Sequence, residues 1–407
     1  MVSAVSAGAQ YAAMAGIDQS WVHGLDLRIY QGAVDAMLSG EGLYDADPPF
    51  NYPPFAAYLF IPLTVGPAGA TLALWFVLKS LCLHLLVWHL LGSRPRTAGR
   101  RAALTVLVSW GTAFTIDAIG YDLSYGQVNL LLMGLVVYDL CRPDDPAAPA
   151  RLRGVGTGIA AAVKIVPALF IVHLFLTRQY RAATVATTTF LTTVALGFAT
   201  LPTTAWRYWT DVLWATERVG ASPDSLTNQS LRGLLGRLLH DTGLTTAGWL
   251  LSAVAVALAA LTLATRLHRR GMELEALTAV GLAVPLVTPL GWVHHWVWLL
   301  PATLLLFGWA RRRRSVLLWV SAIALFVLAN CRAPVLLAVA AGRDPWGRDP
   351  WLTSEFSTQL STVEQVLGAN IVLGGLLLLG CGALALRATP DPRPPFPVKE
   401  QHEPAVS

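Results

Sequence analysis

The 407 residues are 55% hydrophobic and only 13% charged, with a mean hydropathy of +0.54, whereas soluble domains carry about 25% charged residues. This excludes an ordinary soluble protein and predicts one polytopic, all-α transmembrane domain over residues 1–386, with about 10–12 membrane helices of ~20 apolar residues each. The net charge of +5 comes from arginine clusters between apolar runs, which are topology signals and give no reason to expect nucleic acid as a partner.

The first twenty residues lack the basic start and cleavage site of a signal peptide and are polar around Gln10 and Tyr11. The expectation is a weak first helix held by its neighbours, or a start downstream of the true one. Residues 23–59 then form a polar stretch rich in Asp, Tyr, Gly and Pro that reads as a loop bearing Asp26 and Arg28. Asp45 and Asp47 within it fit turn chemistry. The apolar piece at 55–65 is too short to span and is predicted to lie at the interface.

Residues 70–91 are the first clear span, ending at Arg94, Arg96, Arg100 and Arg101, which the positive-inside rule places in the cytoplasm. Residues 102–119 return to the outer face, delivering the segment from Tyr121 to Asn129, and residues 128–141 go back to a loop with Arg142, Arg151 and Arg153.

Residues 154–177 carry Lys164 and Pro167 in their middle, with Arg153 before and Arg178 and Arg181 after. A single crossing would put one basic cluster outside. A re-entrant hairpin broken at 164–167 keeps both inside, because proline removes a backbone donor and lets the chain turn where protein lines a cavity.

Further spans follow at 182–201, 247–265, 274–288, 296–310, 316–339 and 370–386. The residues after 387, rich in proline and mixed in charge, are expected to be a disordered cytoplasmic tail. Cys82, Cys141, Cys331 and Cys381 have no ligand or pairing spacing and read as packed thiols.

The unusual polar motifs all fall on the predicted outer face: Asp26 with Arg28, the 122–129 segment, Asn228-Gln229-Ser230-Leu231-Arg232, and His294-His295. Loops that only connect helices have no reason to sort this way.

An acid at the edge of the hydrocarbon layer is costly, and Asp26 is suited to take a proton from a hydroxyl; an N-cap or a solvated carboxylate is the simpler alternative. Arg28 either pairs with Asp26 or faces a phosphate. Gln127 and Asn129 can hydrogen-bond sugar hydroxyls, while Asp122 or Ser124 caps a helix. Lys164 either snorkels to the inner headgroups or offers a positive charge to a lipid phosphate. The adjacent imidazoles can bind a phosphate or relay a proton, or simply be satisfied at the headgroup level. Trp206, Trp209, Trp214, Trp292, Trp296 and Trp298 read first as interfacial anchors.

Taken together and in order, GLDLRIY, LYD followed by FNYPP, SYGQVN, AVKIVP, NQSL and TPLGWVHHW, covering residues 24–309, resemble the integral-membrane glycosyltransferases of the C-type superfamily, specifically family 87. Those are polyprenyl-phosphate-mannose-dependent alpha-1,2-mannosyltransferases that build phosphatidylinositol mannosides and lipomannan-type glycans. The resemblance implies a multi-pass protein of the bacterial plasma membrane with an outward-facing site. It implies mannose transfer, with inversion, from a polyprenyl-phosphate-mannose donor to a glycolipid acceptor, without cofactor or metal. Asp26 matches the family's catalytic acid and His294 and His295 its histidine pair. Arg28, Tyr52, Gln127, Asn129, Lys164, Asn228, Gln229 and Arg232 are the donor-phosphate or substrate-binding candidates. Residues 342–368 match nothing in the pattern and are where acceptor choice is expected to reside. The alternatives are a transferase using another polyprenyl-linked sugar, and a lipid or sugar transporter.

Overall fold

The computed structural model describes residues 2–17, 24–92, 97–141, 152–215, 218, 222–240, 243–343 and 354–388. Of the described residues 79% are helical, and none of them lies in a strand. His23, Arg94, Arg96, Arg142, Arg151, part of the 342–368 segment and the expected tail from 389 onward lie outside them.

Helices α1 (Val2–Ile17), α2 (Leu25–Leu38) and α3 (Pro54–Phe60), the last continued by a 3-10 turn (Ile61–Thr64), precede the first long apolar helix, α4 (Ala68–Leu91). Helices α5 (Ala98–Thr115) and α6 (Asp117–Tyr125) form a bent pair, α7 (Asn129–Leu140) returns, and α8 (Val155–Val163) and α9 (Ala168–Leu176) flank the break at 164–167. Next come α10 (Tyr180–Thr200), α11 (Pro202–Arg207), α12 (Leu231–Leu239), and the tightly paired α13 (Gly243–Arg269) and α14 (Glu273–Val287). The chain closes with α15 (Leu299–Arg313), a second bent pair α16 (Val316–Asn330) and α17 (Ala333–Ala340), two short helices α18 (Ser354–Gln359) and α19 (Thr362–Leu367), and α20 (Asn370–Ala388).

Among the described residues, α4, α10, α13 and α20 are each long and apolar enough to cross a bilayer, and the two bent pairs raise the number to six. The remaining helices are shorter than the ~20 residues a crossing takes and complete the bundle by packing against the long ones.

The polar character of α1 has a packing explanation. Ser6 meets His84 Nε2 at 2.9 Å and accepts from Trp110 Nε1 at 2.9 Å, and Gln10 accepts from Ser80. These buried pairs fasten α1 to α4 and α5, each bond contributing about 1 kcal/mol net.

Three expected elements differ. The 23–59 stretch is not one loop: Asp26 and Arg28 lie in the first two turns of the 14-residue α2. Its buried face is held by aromatic stacking, with the Tyr30 and Phe60 rings 4.4 Å apart. The spans expected at 102–119 and 316–339 are not straight; they bend by 87° and 61°. The bends meet, because Asp117 Oδ1 pairs with Arg332 Nη2 at 2.8 Å and the Asp117 amide donates to Asn330 Oδ1 at 3.1 Å. A helix that must satisfy an acid and a guanidinium in an apolar bundle turns where the two can reach each other.

The hairpin at 154–177 is present. Asp139, in the last turn of α7, accepts from the amides of Gly154 (2.9 Å) and Thr157 (3.0 Å) and from the Thr157 hydroxyl (2.8 Å), capping α8. Gly154 packs so closely on α10 that a Cβ there would stand 2.2 Å from the Ala182 carbonyl oxygen. Yet α9 reaches the same end of α10 through a turn at 177–179. Both ends of the hairpin therefore lie at the basic end of the bundle, and its apex at Lys164 lies deep inside. The 12 residues of α7 put Asn129 about 18 Å from that end.

Candidate active site

The site is assembled where α6 ends and α7 begins. Gly126 terminates α6 at φ +77, a conformation that glycine adopts without strain. A Cβ there would also lie 2.8 Å from Leu27 Cβ. Trp75 Nε1 donates to the Gly126 carbonyl at 2.7 Å, and the Gly24 amide donates to the Ser124 carbonyl at 2.9 Å. The start of α2, which carries Asp26, is thereby pinned to the turn that carries Gln127.

Gln127 is the hub. Its Oε1 accepts from the hydroxyls of Tyr30 (3.0 Å) and Tyr52 (3.1 Å) and from Asn129 Nδ2 (3.3 Å). With Oε1 occupied as an acceptor, Nε2 is the donor. It faces His294 Nε2 at 3.3 Å, and the Gln127 amide lies near enough to the Asp26 carboxyl to favour its ionised form. Asn129 Nδ2 also donates to the His294 carbonyl at 3.0 Å.

Lys164 reaches the same cluster from the hairpin apex. Its Nζ donates to Asn129 Oδ1 at 2.9 Å and to His295 Nε2 at 3.1 Å, and stands 5.4 Å from the centre of the Tyr52 ring. The snorkelling alternative is overturned: the ammonium points into the bundle, because amide, imidazole and aromatic partners there replace the water it loses.

Electrostatics separate these groups into roles. Burial raises the Asp26 carboxyl to about 6, while Lys164 and Gln127 pull in the other direction. Its Oδ2 is buried without a hydrogen-bond partner, a costly state for an acceptor and the expected one for a base awaiting a proton. Burial first, and Lys164 second, hold both His294 and His295 well below the usual imidazole range. At neutral pH the pair is uncharged and accepts hydrogen bonds, so the cation in this network is Lys164.

Lys79, on the apolar helix α4, is not among the residues expected at the site. Its ammonium donates to the Asp122 carbonyl and lies 3.2 Å from Asp122 Oδ1, with both side chains 0% exposed. Asp122 Oδ2 in turn accepts from the Leu130 amide at 3.3 Å. This pair, 43 residues apart, braces the turn that presents Gln127 and Asn129. The signal available was a lysine in the middle of an otherwise uninterrupted apolar run.

Other candidates have different placements. Arg28 is exposed, and its position two residues after Asp26 puts it on the opposite side of α2; it does not join the cluster. Asn228 Oδ1 accepts from the Gly291 amide at 2.9 Å and its Nδ2 donates to the Pro289 carbonyl at 2.9 Å. Gln229 donates to the Gly368 carbonyl at 2.7 Å and accepts from the Ile371 amide at 3.3 Å. The Asn228 amide is spent fixing the turn just ahead of the histidines, and the Gln229 amide ties its loop to the start of α20. Arg232 is half-buried on α12. Of the tryptophans, Trp206 and Trp214 are well exposed, but Trp296 and Trp298 are core residues, and Trp296 Nε1 donates to the Gln229 carbonyl at 3.1 Å.

A buried carboxyl, an ammonium and two imidazoles thus share one amide network at one end of a bundle of helices, four of them long and apolar enough to cross a bilayer among the described residues. Residues 50–289 match the family model for glycosyltransferase family 87, and the chain belongs to that family. Tyr52, Gln127, Asn129, Lys164, Asn228, Gln229 and Arg232 fall inside the matched segment, whereas Asp26, Arg28, His294 and His295 lie beyond it.

Among relatives, a polyprenol-phosphate-mannose-dependent alpha-(1-2)-phosphatidylinositol mannoside mannosyltransferase of Mycobacterium tuberculosis is 34% identical over 326 residues, 75% of each chain. A pentamannoside mannosyltransferase of the same dependence and species is 35% identical over 304 residues, 71% of this chain and 68% of its own. A phosphatidylinositol mannoside mannosyltransferase of Mycolicibacterium smegmatis is 31% identical over 333 residues, 75% of this chain and 74% of its own. No solved structure matches the chain.

Proposed function

We propose that this chain transfers mannose from a polyprenyl-phosphate-mannose donor to a hydroxyl of a phosphatidylinositol-type glycolipid, with inversion to an alpha-1,2 linkage, at the outer face of the bacterial plasma membrane. The observation that carries the reading is the contact chain from Asp26 through Gln127 to His294, with Lys164, Asn129 and His295 alongside. The names of the relatives supply the sugar, its carrier and the acceptor class. The outer location is supported by the arginine-rich turns, which gather at the end of the bundle opposite the site.

In this mechanism Asp26 takes the proton from the acceptor hydroxyl as that oxygen bonds to C1 of the mannose, opposite the departing phosphate. The C1–oxygen bond to phosphate breaks and its electron pair leaves with the polyprenyl phosphate. The phosphate changes from a monoanionic diester to a dianionic monoester, so charge develops where a fixed cation is most effective. Lys164 supplies that cation. Neutral His294 and His295, with Gln127 and Asn129, orient the sugar and the phosphate.

The test is incubation of membranes carrying the protein with radiolabelled polyprenyl-phosphate mannose and phosphatidylinositol mannosides, followed by product analysis. Labelled glycolipid with an alpha-1,2 mannose is expected, and Asp26→Asn should slow its formation by ~10²–10⁴-fold. Transfer at the wild-type rate by that variant would remove Asp26 from the role. Accumulation of label in vesicles without any glycolipid product would instead favour a transporter.

A further inference from the structure

At the opposite end of the bundle, a cleft of about 450 Å³ opens between α13, α14, α15 and α20, a volume typical of ligand sites, which run from about 300 to 1,000 Å³. Its space is left by small side chains: Ala279, Ala302 and Gly382 line it where larger ones would fill it. The inner walls are apolar, and the mouth carries Arg312, Arg313 and Glu275. Both arginines are exposed.

The depth is informative. From Arg313 to Ala302 the cleft follows eleven residues of α15, about 16 Å, close to the ~15 Å hydrocarbon depth of a single leaflet. The charge is equally specific. Among the described lining residues two guanidiniums stand with one carboxylate, a formal excess of one positive charge that suits one phosphodiester. Basic pockets between membrane helices on the cytoplasmic side characteristically take anionic headgroups.

We infer that this cleft seats one anionic glycerophospholipid from the leaflet at the basic end, with an acyl chain between α14 and α20 and its phosphate on Arg312 and Arg313. The seat is separate from the transfer site, which lies at the other end of α14, and does not depend on the reading given to that site.

The test uses the full-length protein in detergent, titrated with phosphatidylglycerol or phosphatidylcholine of identical chains and examined by native mass spectrometry. Wild type should retain phosphatidylglycerol about fivefold better than phosphatidylcholine, the value of one net positive charge at a membrane surface. Arg312→Ala with Arg313→Ala should abolish that preference, and Arg312→Lys with Arg313→Lys should keep it. Gly382→Leu, which narrows the apolar part, should weaken retention of both lipids. Equal retention of the two lipids by wild type, an undiminished preference in the double alanine variant, or unchanged binding in the leucine variant would each overturn the assignment.

Discussion

Asp26 carries a directional prediction. A base works only when ionised, and with its carboxyl held near 6 the rate should fall as pH drops through that value, where an ordinary aspartate would hold its activity to about 4. A log kcat/KM profile with an acid limb near 6 is expected, lost together with activity in Asp26→Asn. Lys164 makes a second. Lys164→Met removes the network's cation without adding bulk, and should lower kcat by ~10²–10³-fold, as loss of one charge-stabilising donor typically does. Lys164→Arg, with its charge retained, should recover part of that loss in the same assay. Lys164 was legible as chemistry because apolar sequence surrounds it, and Asp26 because it sits in a polar stretch just ahead of a long series of apolar runs. The partners were not. That Asp26 meets Gln127, and Lys164 meets His295 131 residues away, is decided by packing, which spacing along the chain does not report.

Among the elements, the turn between α6 and α7 depends on the buried pair beneath it. Lys79→Met would leave the Asp122 carboxylate without its counter-ion in the core, at a cost of about 3–5 kcal/mol, whereas Lys79→Met combined with Asp122→Asn removes both charges and should restore most of that stability. Thermal unfolding in detergent distinguishes the two. A single variant no less stable than wild type would show that the pair does not brace the turn. Most apolar runs were visible from hydropathy, and the hairpin from the basic residues on both its flanks. The amphipathic α2 was hidden because its polar face, rich in Asp, Arg and Gln, resembles a loop in composition. The bends at Ile116 and Cys331 were hidden for another reason: the Asp117–Arg332 contact that fixes them joins residues 215 positions apart.

For the whole molecule, the prediction concerns orientation. In a protein with its four native cysteines replaced by alanine, Glu41→Cys, on the exposed turn after α2, should react with an impermeant maleimide added to intact cells. Arg269→Cys, at the exposed end of α13, should react only after permeabilisation. The reverse pattern would place the site in the cytoplasm and sink the proposed use of an outward-facing donor.

The hairpin has a kinetic corollary. Since α8 and α9 are anchored at the basic end and present Lys164 from beneath, a carrier phosphate that meets Lys164 does so from the side away from that end. In the proposed reaction the loaded and the discharged carrier both bring a phosphate to Lys164, and the discharged one bears the higher charge. Polyprenyl phosphate should therefore behave as a competitive inhibitor against the donor, and the rate at which it leaves Lys164 would set the pace of successive transfers.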